Sequence, residues 1–231
     1  MEAIYLPIWA YWIQIGSTIL LATAAFLAPY LVEKWKSNYR IPVLKINFKL
    51  EPPDCHDTLF RLDTKINNKE IIFQVYYFRF IVKNVGMSHA DSCQVFLERI
   101  FKENSAGEMI ENKNFTPINL KWSGVSKTIE KDIYPDKETY CDLGRIHHPA
   151  YKYLSAYKNI SKEEQELNKF IFELAENPLY SQWDCLIPGR YNLVVSVYSK
   201  NSKKVTKKFS LSWTGIWKDD VTDMFNELVI H

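Results

Sequence analysis

No charged side chain occurs between Glu2 and Glu33, and beyond that run the chain turns to short alternations of apolar and polar residues. A bilayer core takes about 20 apolar residues as helix, so the first stretch crosses it with length left for tilt. Tyr5, Trp9, Tyr11 and Trp12 stand near one end and Tyr30 and Trp35 near the other, where amphipathic rings settle among headgroups. The pattern predicts a transmembrane anchor over residues 1–36.

From residue 37 the apolar period is two. Leu44, Ile46, Phe48 and Leu50 alternate with Lys45, Asn47 and Lys49, which predicts a half-buried strand leaving the membrane. Pro52 and Pro53 stop it, and Asp54 to Glu70 reads as a long loop with a short piece of structure around Leu59 to Leu62. Ile71 to Lys83 is the strongest β segment, with Tyr76, Phe78, Phe80 and Val82 on one face and Tyr77, Arg79, Ile81 and Lys83 on the other. Asn84, Gly86 and Ser88 supply turn chemistry, and Cys93, Val95 and Leu97 return against Gln94, Phe96 and Glu98 as the second arm of a hairpin or of a close relative of one. Further strands are expected at Phe115–Trp122, Glu138–Ile146, Lys169–Leu174, Arg190–Ser199 and Val205–Trp213, and a capping box at Ser161 and Glu164 opens a short helix with Leu167 as its apolar contact. Seven or eight strands separated by turns close most simply as a β-sandwich over residues 37–217.

The last segment, residues 218–231, changes period again. Asp219 and Asp220 bias a helix start, and Val221, Met224, Phe225 and Leu228 fall on one face of a short amphipathic helix. That face has three surfaces to lie on: the domain itself, a partner subunit or the membrane. The four residues are the candidate partner contact.

The formal charge of +2 gives no global field that argues for nucleic acid. Charge matters more locally. Lys34, Lys36, Arg40, Lys45 and Lys49 follow the apolar run, whereas its amino-terminal flank offers only Glu2 and the terminal amine, so the positive-inside rule puts the carboxyl-terminal side in the cytoplasm. The segment lacks the basic flank, short core and cleavage site of a signal peptide and reads as uncleaved. Cys93 and Cys141 sit within apolar alternations, so the four cysteines read as free thiols of a reducing compartment.

The stretch YYFRFIVKNVGMSHADSCQVFL, Tyr76 to Leu97, resembles the strand, Asn-x-Gly turn and returning strand of immunoglobulin-like modules of the bacterial adhesion-related and fibronectin-like type. IPGRYNLVVSVYS, Ile187 to Ser199, is similar to the Pro-Gly-x-Tyr entry to a late strand of such sandwiches, where Tyr191 would pin a corner through its hydroxyl. With INLKWSG and CDLGRI, the layout resembles small bacterial single-pass membrane proteins that carry a cytosolic β-domain. The resemblance implies an N-terminal transmembrane helix, an all-β immunoglobulin-like sandwich and a short C-terminal helix, at the inner membrane with the amino terminus outside. There is no Cys, Trp, Cys framework of the antibody type, and fold likeness carries no function.

Candidate chemistry is sparse. His147 and His148 follow Cys141, and Cys55 adjoins His56, but neither has the paired spacing of a zinc site, and adjacent histidines in a strand point to opposite faces. No nucleophile elbow, Walker loop or dinucleotide fingerprint occurs, so neither an enzyme nor a cofactor is expected. Lys200, Lys203, Lys204, Lys207 and Lys208 form the one basic cluster, read as an anion or lipid contact or as lysines that protect a hairpin edge. Trp122, Trp213 and Trp217 either frame a small-molecule pocket or plug the core.

Two functions remain. The first is a membrane-anchored, non-enzymatic cytosolic module that binds a partner protein or a second copy of itself. The second is a membrane effector, for example in antiviral defence, whose β-domain senses a ligand and drives oligomerisation through small anchor residues such as Gly16, Ser17, Ala22, Thr23, Ala24 and Ala28.

Overall fold

The computed structural model describes residues 7–39, 41–63, 70–124, 128–149, 168–176 and 184–231. It divides into two compact units, Met1–Ile41 and Pro42–His231.

The first unit is helix α1, Ile8–Tyr39, which runs three residues past the expected anchor boundary. Its stretch Ile8–Trp35 is apolar enough to cross a membrane, with a mean hydropathy of 1.8. Its apolar side chains are exposed, Leu20 at 70% and Phe26 at 87%. Three of its hydroxyls turn back onto the helix: Ser17 and Thr18 donate to the Gln14 carbonyl at 2.9 and 2.8 Å, and Thr23 to that of Ile19 at 3.0 Å. In hydrocarbon no water is present to take those protons, so internal bonding is the condition for keeping Ser and Thr in a span.

The second unit holds two antiparallel sheets that share one core. In the first sheet, β3 (Glu70–Asn84) is central. One of its edges carries both β1 (Leu44–Asn47) and β2 (Cys55–Asp63), and the other carries β9 (Glu138–His147). Beyond β9 lie β7 (Lys121–Trp122), β10 (Phe170–Phe172) and, last, β11 (Cys185–Leu186). In the second sheet β4 (Ala90–Glu103) pairs with β12 (Gly189–Tyr198), which pairs with β13 (Val205–Trp213). The free edge of β4 is covered by three short pieces: β5 (Met109–Glu111), β6 (Ile118–Asn119) and β8 (Lys131–Ile133).

The alternation expected for β3 is the one observed. Tyr76, Phe78, Phe80 and Val82 are buried, and the opposite set is half-buried. From the second sheet, Val195, Val197, Phe209 and Leu211 meet them, with the Phe80 and Phe209 rings 5.5 Å apart. A buried side chain of this size contributes about 1.5–3 kcal/mol, which makes the joint inner face the main source of stability.

Four expectations are corrected. The segment after Pro53 is not a long loop: β2 pairs residue by residue with β3 from Cys55↔Phe78 to Asp63↔Glu70. It alternates too weakly to read as a strand because it is a sheet edge, half of it polar. The turn after Asn84 does not close a hairpin, since β3 and β4 lie in different sheets, and residues 85–89 form an arch between them. The expected strand Phe115–Trp122 is divided: β6 belongs to the second sheet and β7 to the first, so the chain changes sheets at Leu120, which bridges Leu174. Finally, helix α2 is only Val221–Glu227, and Leu228 leaves it to start β14, Leu228–Ile230, which pairs with β13. The capping box at Ser161 and Glu164 lies outside the described residues, as do Tyr5 and Arg40.

Buried Asn84 organises one end of the domain. Its Oδ1 accepts the backbone N–H groups of Val43 and Gly86, and its Nδ2 donates to the carbonyls of Ser88 and Ile133 at 2.7 and 2.9 Å. One side chain thus ties the entry of β1, the arch and the end of β8, and all its hydrogen-bonding capacity is used there.

Candidate functional site

An opening lies on the outer face of the second sheet, where the pieces covering the edge of β4 leave a gap between β6 and β8. It is a cleft of about 500 Å³ floored by Phe96 and Tyr198, whose rings meet edge to face at 5.6 Å. That size falls within the range of about 300–1,000 Å³ usual for ligand sites. Register irregularity shapes its rim: the pairing of β4 with β8 shifts between Ala90 and Cys93, where Ser92 adopts φ 48° and donates its N–H to Asp132 Oδ1 at 2.8 Å.

Two carboxylates stand over this floor. Glu98 takes both its oxygens to Lys204 Nζ at 2.6 and 2.8 Å and accepts the Tyr198 hydroxyl. Burial pushes the Glu98 carboxyl up, but the hydrogen bonds from Lys204, Tyr198 and Ser196 together outweigh it and hold it below the ordinary glutamate value. Glu130 accepts from Gln94 Nε2 at 2.8 Å and faces Lys200 at 3.9 Å. The cleft therefore offers an aromatic floor between two half-exposed acid–lysine pairs. Such pairs exchange partners at little cost, since exposed ion pairs contribute only about 0–1 kcal/mol.

The five lysines read as one basic cluster do not form one surface. Lys204 and Lys200 are neutralised in the cleft, and Lys207 lies on the inner-facing side of β13 with its ammonium 5.3 Å from the Phe209 ring. Lys208 stands on the opposite face, paired across the strands with Val194, and Lys203 is exposed at the bend. Alternation along β13 divides them.

The carboxyl-terminal set is part of the fold. Met224 and Leu228 are fully buried and Val221 and Phe225 pack on the core, with the Phe225 ring 6.3 Å from Phe78. The apolar face proposed for a partner is seated on the domain itself. Trp122 and Trp213 are core residues that donate to the carbonyls of Ile129 and Asn168, and Trp217 packs against Tyr76 at 4.9 Å, so the three tryptophans fill space instead of framing a pocket. On α1, Trp9, Trp12, Tyr30 and Trp35 are exposed at 62–69%, and Lys34 and Lys36 lie on the last turns.

A second polar group occupies the outer face of the first sheet. Arg79 pairs across the strands with Asp142, donates to the Pro53 carbonyl at 2.6 Å, meets His56 Nδ1 at 3.4 Å and lies over the Tyr140 ring at 4.9 Å. Burial pushes the Asp142 carboxyl up against the opposing pull of its Ser123 hydrogen bond and of Arg79. These contacts hold the corner between β1 and β2. His147 is turned to Arg145 and Phe73, and His148 to Trp217, so the two rings serve different surroundings. Among the described residues no three His, Cys, Asp or Glu side chains converge on a metal site.

Sequence reasoning placed Gln94, Phe96 and Glu98 on the outward face of β4 but did not find the cleft. Its other wall, Tyr198 to Lys204, stands about a hundred residues away, and no local signal links the two. No family model matches the chain, and no curated protein matches it. What stands is a long apolar helix joined to a domain of two antiparallel sheets closed by a short helix and an edge strand.

Proposed function

We propose that this chain is a single-pass anchor for a binding module. Helix α1 spans the bacterial inner membrane with its amino terminus outside, and an immunoglobulin-like sandwich in the cytoplasm binds a partner protein without catalysing a reaction. The observation that carries the reading is α1, with its uninterrupted uncharged run, exposed apolar surface and inward-bonded hydroxyls. Orientation is supported by Lys34, Lys36 and Arg40, which all follow the span. Cys55, Cys93 and Cys141 are buried thiols outside any disulfide, as expected in a reducing compartment. The sandwich reading is supported by the strand that changes sheets and by Tyr191, whose hydroxyl donates to the Ile187 carbonyl at 2.9 Å as a corner pin. With the tail packed on its own core, the cleft over Phe96 and Tyr198 is the surface proposed for a partner segment.

A photo-crosslinking residue at Gln94 of the full-length membrane protein tests this. A discrete adduct at Gln94, absent from the same label at Ser105 and lost on Phe96→Ala, supports it. Equal labelling at both positions removes it. A cytoplasmic reporter after His231 tests the orientation separately, since activity only outside the membrane reverses it.

A further inference from the structure

The end of the domain gathered around Asn84 exposes several large apolar side chains at once. Val43 is 47% exposed, Met87 75% and Tyr134 61%, with Val85 beside them. They are neighbours: Val85 donates its N–H to the Val43 carbonyl at 2.8 Å, Met87 sits in the arch that Asn84 braces, and Tyr134 begins the turn whose Asp136 N–H reaches the Asn84 carbonyl. Scattered exposed hydrophobics are ordinary, but a contiguous group of them marks a contact surface.

Covalent connection limits what this surface can meet. Helix α1 ends at Tyr39 and the compact domain begins at Pro42. Four Cα steps separate Tyr39 from Val43, and fully extended they reach about 14 Å, whatever path they take. Trp35 lies one helical turn before Tyr39, and the headgroup layer on each side of the hydrocarbon is about 5–8 Å deep. A span ending near Trp35 therefore keeps Val43 within reach of the headgroups, whereas the turn at Ser105 lies at the far end of the 14-residue strand β4.

We propose that this pole, with Met87 and Tyr134 at its centre, rests in the lipid interface of the bilayer that α1 spans. The proposal depends on α1 being a membrane span. The attraction is apolar. The β12–β13 bend belongs to this end, since Asn201 donates to the His89 carbonyl and to Asp91. Its Lys200 and Lys204 are matched by Glu130 and Glu98, Lys83 is matched by Glu138, and Lys131, Lys137 and Lys203 stand among Asp91, Asp132 and Asp136. Exposed Lys45, two residues from Val43 and paired across the strands with Lys83, leaves the pole a small positive excess, so anionic lipid adds to the contact without being required for it. A tyrosine and a methionine suit that layer, one for its amphipathic ring and the other for its adaptable thioether.

The test uses the full-length protein in nanodiscs, with Cys185→Ala removing the half-exposed thiol and nitroxides placed at Leu20→Cys, Met87→Cys and Ser105→Cys. Collision with oxygen reports lipid and collision with a nickel chelate reports water. The expected result is Leu20 at hydrocarbon depth and Met87 several-fold less accessible to the chelate than Ser105, with that difference present in purely zwitterionic lipid. Chelate access at Met87 equal to that at Ser105, with Leu20 still in hydrocarbon, overturns the proposal and leaves the span standing. Chelate access at Leu20 removes both. Spin–spin broadening at Met87 assigns the surface to a second copy and overturns the lipid contact. If Met87→Cys does not fold, the label at Tyr134→Cys gives the same reading.

Discussion

The backbone N–H of Val43 is held by Oδ1 of Asn84 across 41 residues of sequence, at 3.2 Å. That bond fixes where the chain enters the domain, and the same side chain holds the arch and the end of β8 through Ser88 and Ile133. Replacement by Leu keeps the volume but leaves buried backbone groups without partners, each at a cost of about 1–3 kcal/mol. Asn84→Leu should therefore lower stability by roughly 3–5 kcal/mol, a fall in Tm of about 10 °C or more for a domain of this size. Thermal unfolding in detergent followed by near-UV circular dichroism reads it, and an unchanged Tm would show that the arch is held by other means.

Gly144 illustrates a different constraint. It lies in β9 opposite Phe78 and against β10, and a Cβ there would overlap the Phe170 ring and stand 2.6 Å from the Ile171 carbonyl oxygen. The ring could turn, but the carbonyl belongs to the sheet ladder. Gly144→Ala should cost on the order of 2 kcal/mol, as overpacking of a filled core does. Protease resistance of the variant near its expected Tm is a direct check, and full resistance would mean that β10 shifts freely.

His147 gives the acid limb of the stability profile. Burial, with the Arg145 guanidinium beside it, pushes its imidazole down from 6.5 to about 3. The Arg145 Nε–H donates to His147 Nε2 at 2.6 Å, a bond only the neutral ring accepts, while Glu173, the residue after β10, pairs with Arg145. Below pH 6.5 the unfolded chain takes a proton that the folded one refuses, so stability falls as pH drops from 6.5 towards 3 and is unaffected above 6.5. Asp54 and Asp142 carry raised carboxyl values, chiefly from burial, and act in the opposite sense, losing stability as pH rises through those values. The loss due to the histidine is on the order of 3 kcal/mol over its window. His147→Gln keeps an acceptor for Arg145 and cannot be protonated, so its denaturant midpoint should decline less than that of the parent protein between pH 6.5 and 4. Parallel declines would assign the acid sensitivity elsewhere.

Much of the β-domain was legible because alternation reports burial directly. The inward set of β3 and the bounds of β13, Val205–Trp213, follow from period two alone. Sheet membership does not. A strand that turns back after Asn84 has the same local pattern whether it pairs with β3 or arches to the opposite sheet, because both outcomes bury the same alternate residues. Likewise β2 is a polar edge strand whose pairing with β3, not its own hydrophobicity, defines it. The lysine bend was visible as charge, but the acids that neutralise it, Glu98 and Glu130, come from β4 and from the segment before β8. Only the tertiary pairing of β4 with β12 brings them together.

The carboxyl terminus yields a graded pair of outcomes. Asp220 caps α2 by accepting from the N–H groups of Thr222 and Asp223 at 2.9 and 3.1 Å, and it is exposed, so Asp220→Ala should cost about 1 kcal/mol. Leu228 is fully buried at the junction of α2 and β14, paired with Trp213, so Leu228→Asp places a carboxylate in the core and should cost several kcal/mol and release the tail from β13. A tail that served only to bind a partner would show the reverse, with Leu228→Asp folded and merely deficient in recovery of that partner. Hydrogen exchange at Ser210 and Thr214, whose N–H groups donate to the His231 and Glu227 carbonyls of the tail, separates the two. Loss of protection there in Leu228→Asp, with near-parental protection in Asp220→Ala, is expected of a tail that completes the second sheet. Retained protection in both variants would place it outside the fold.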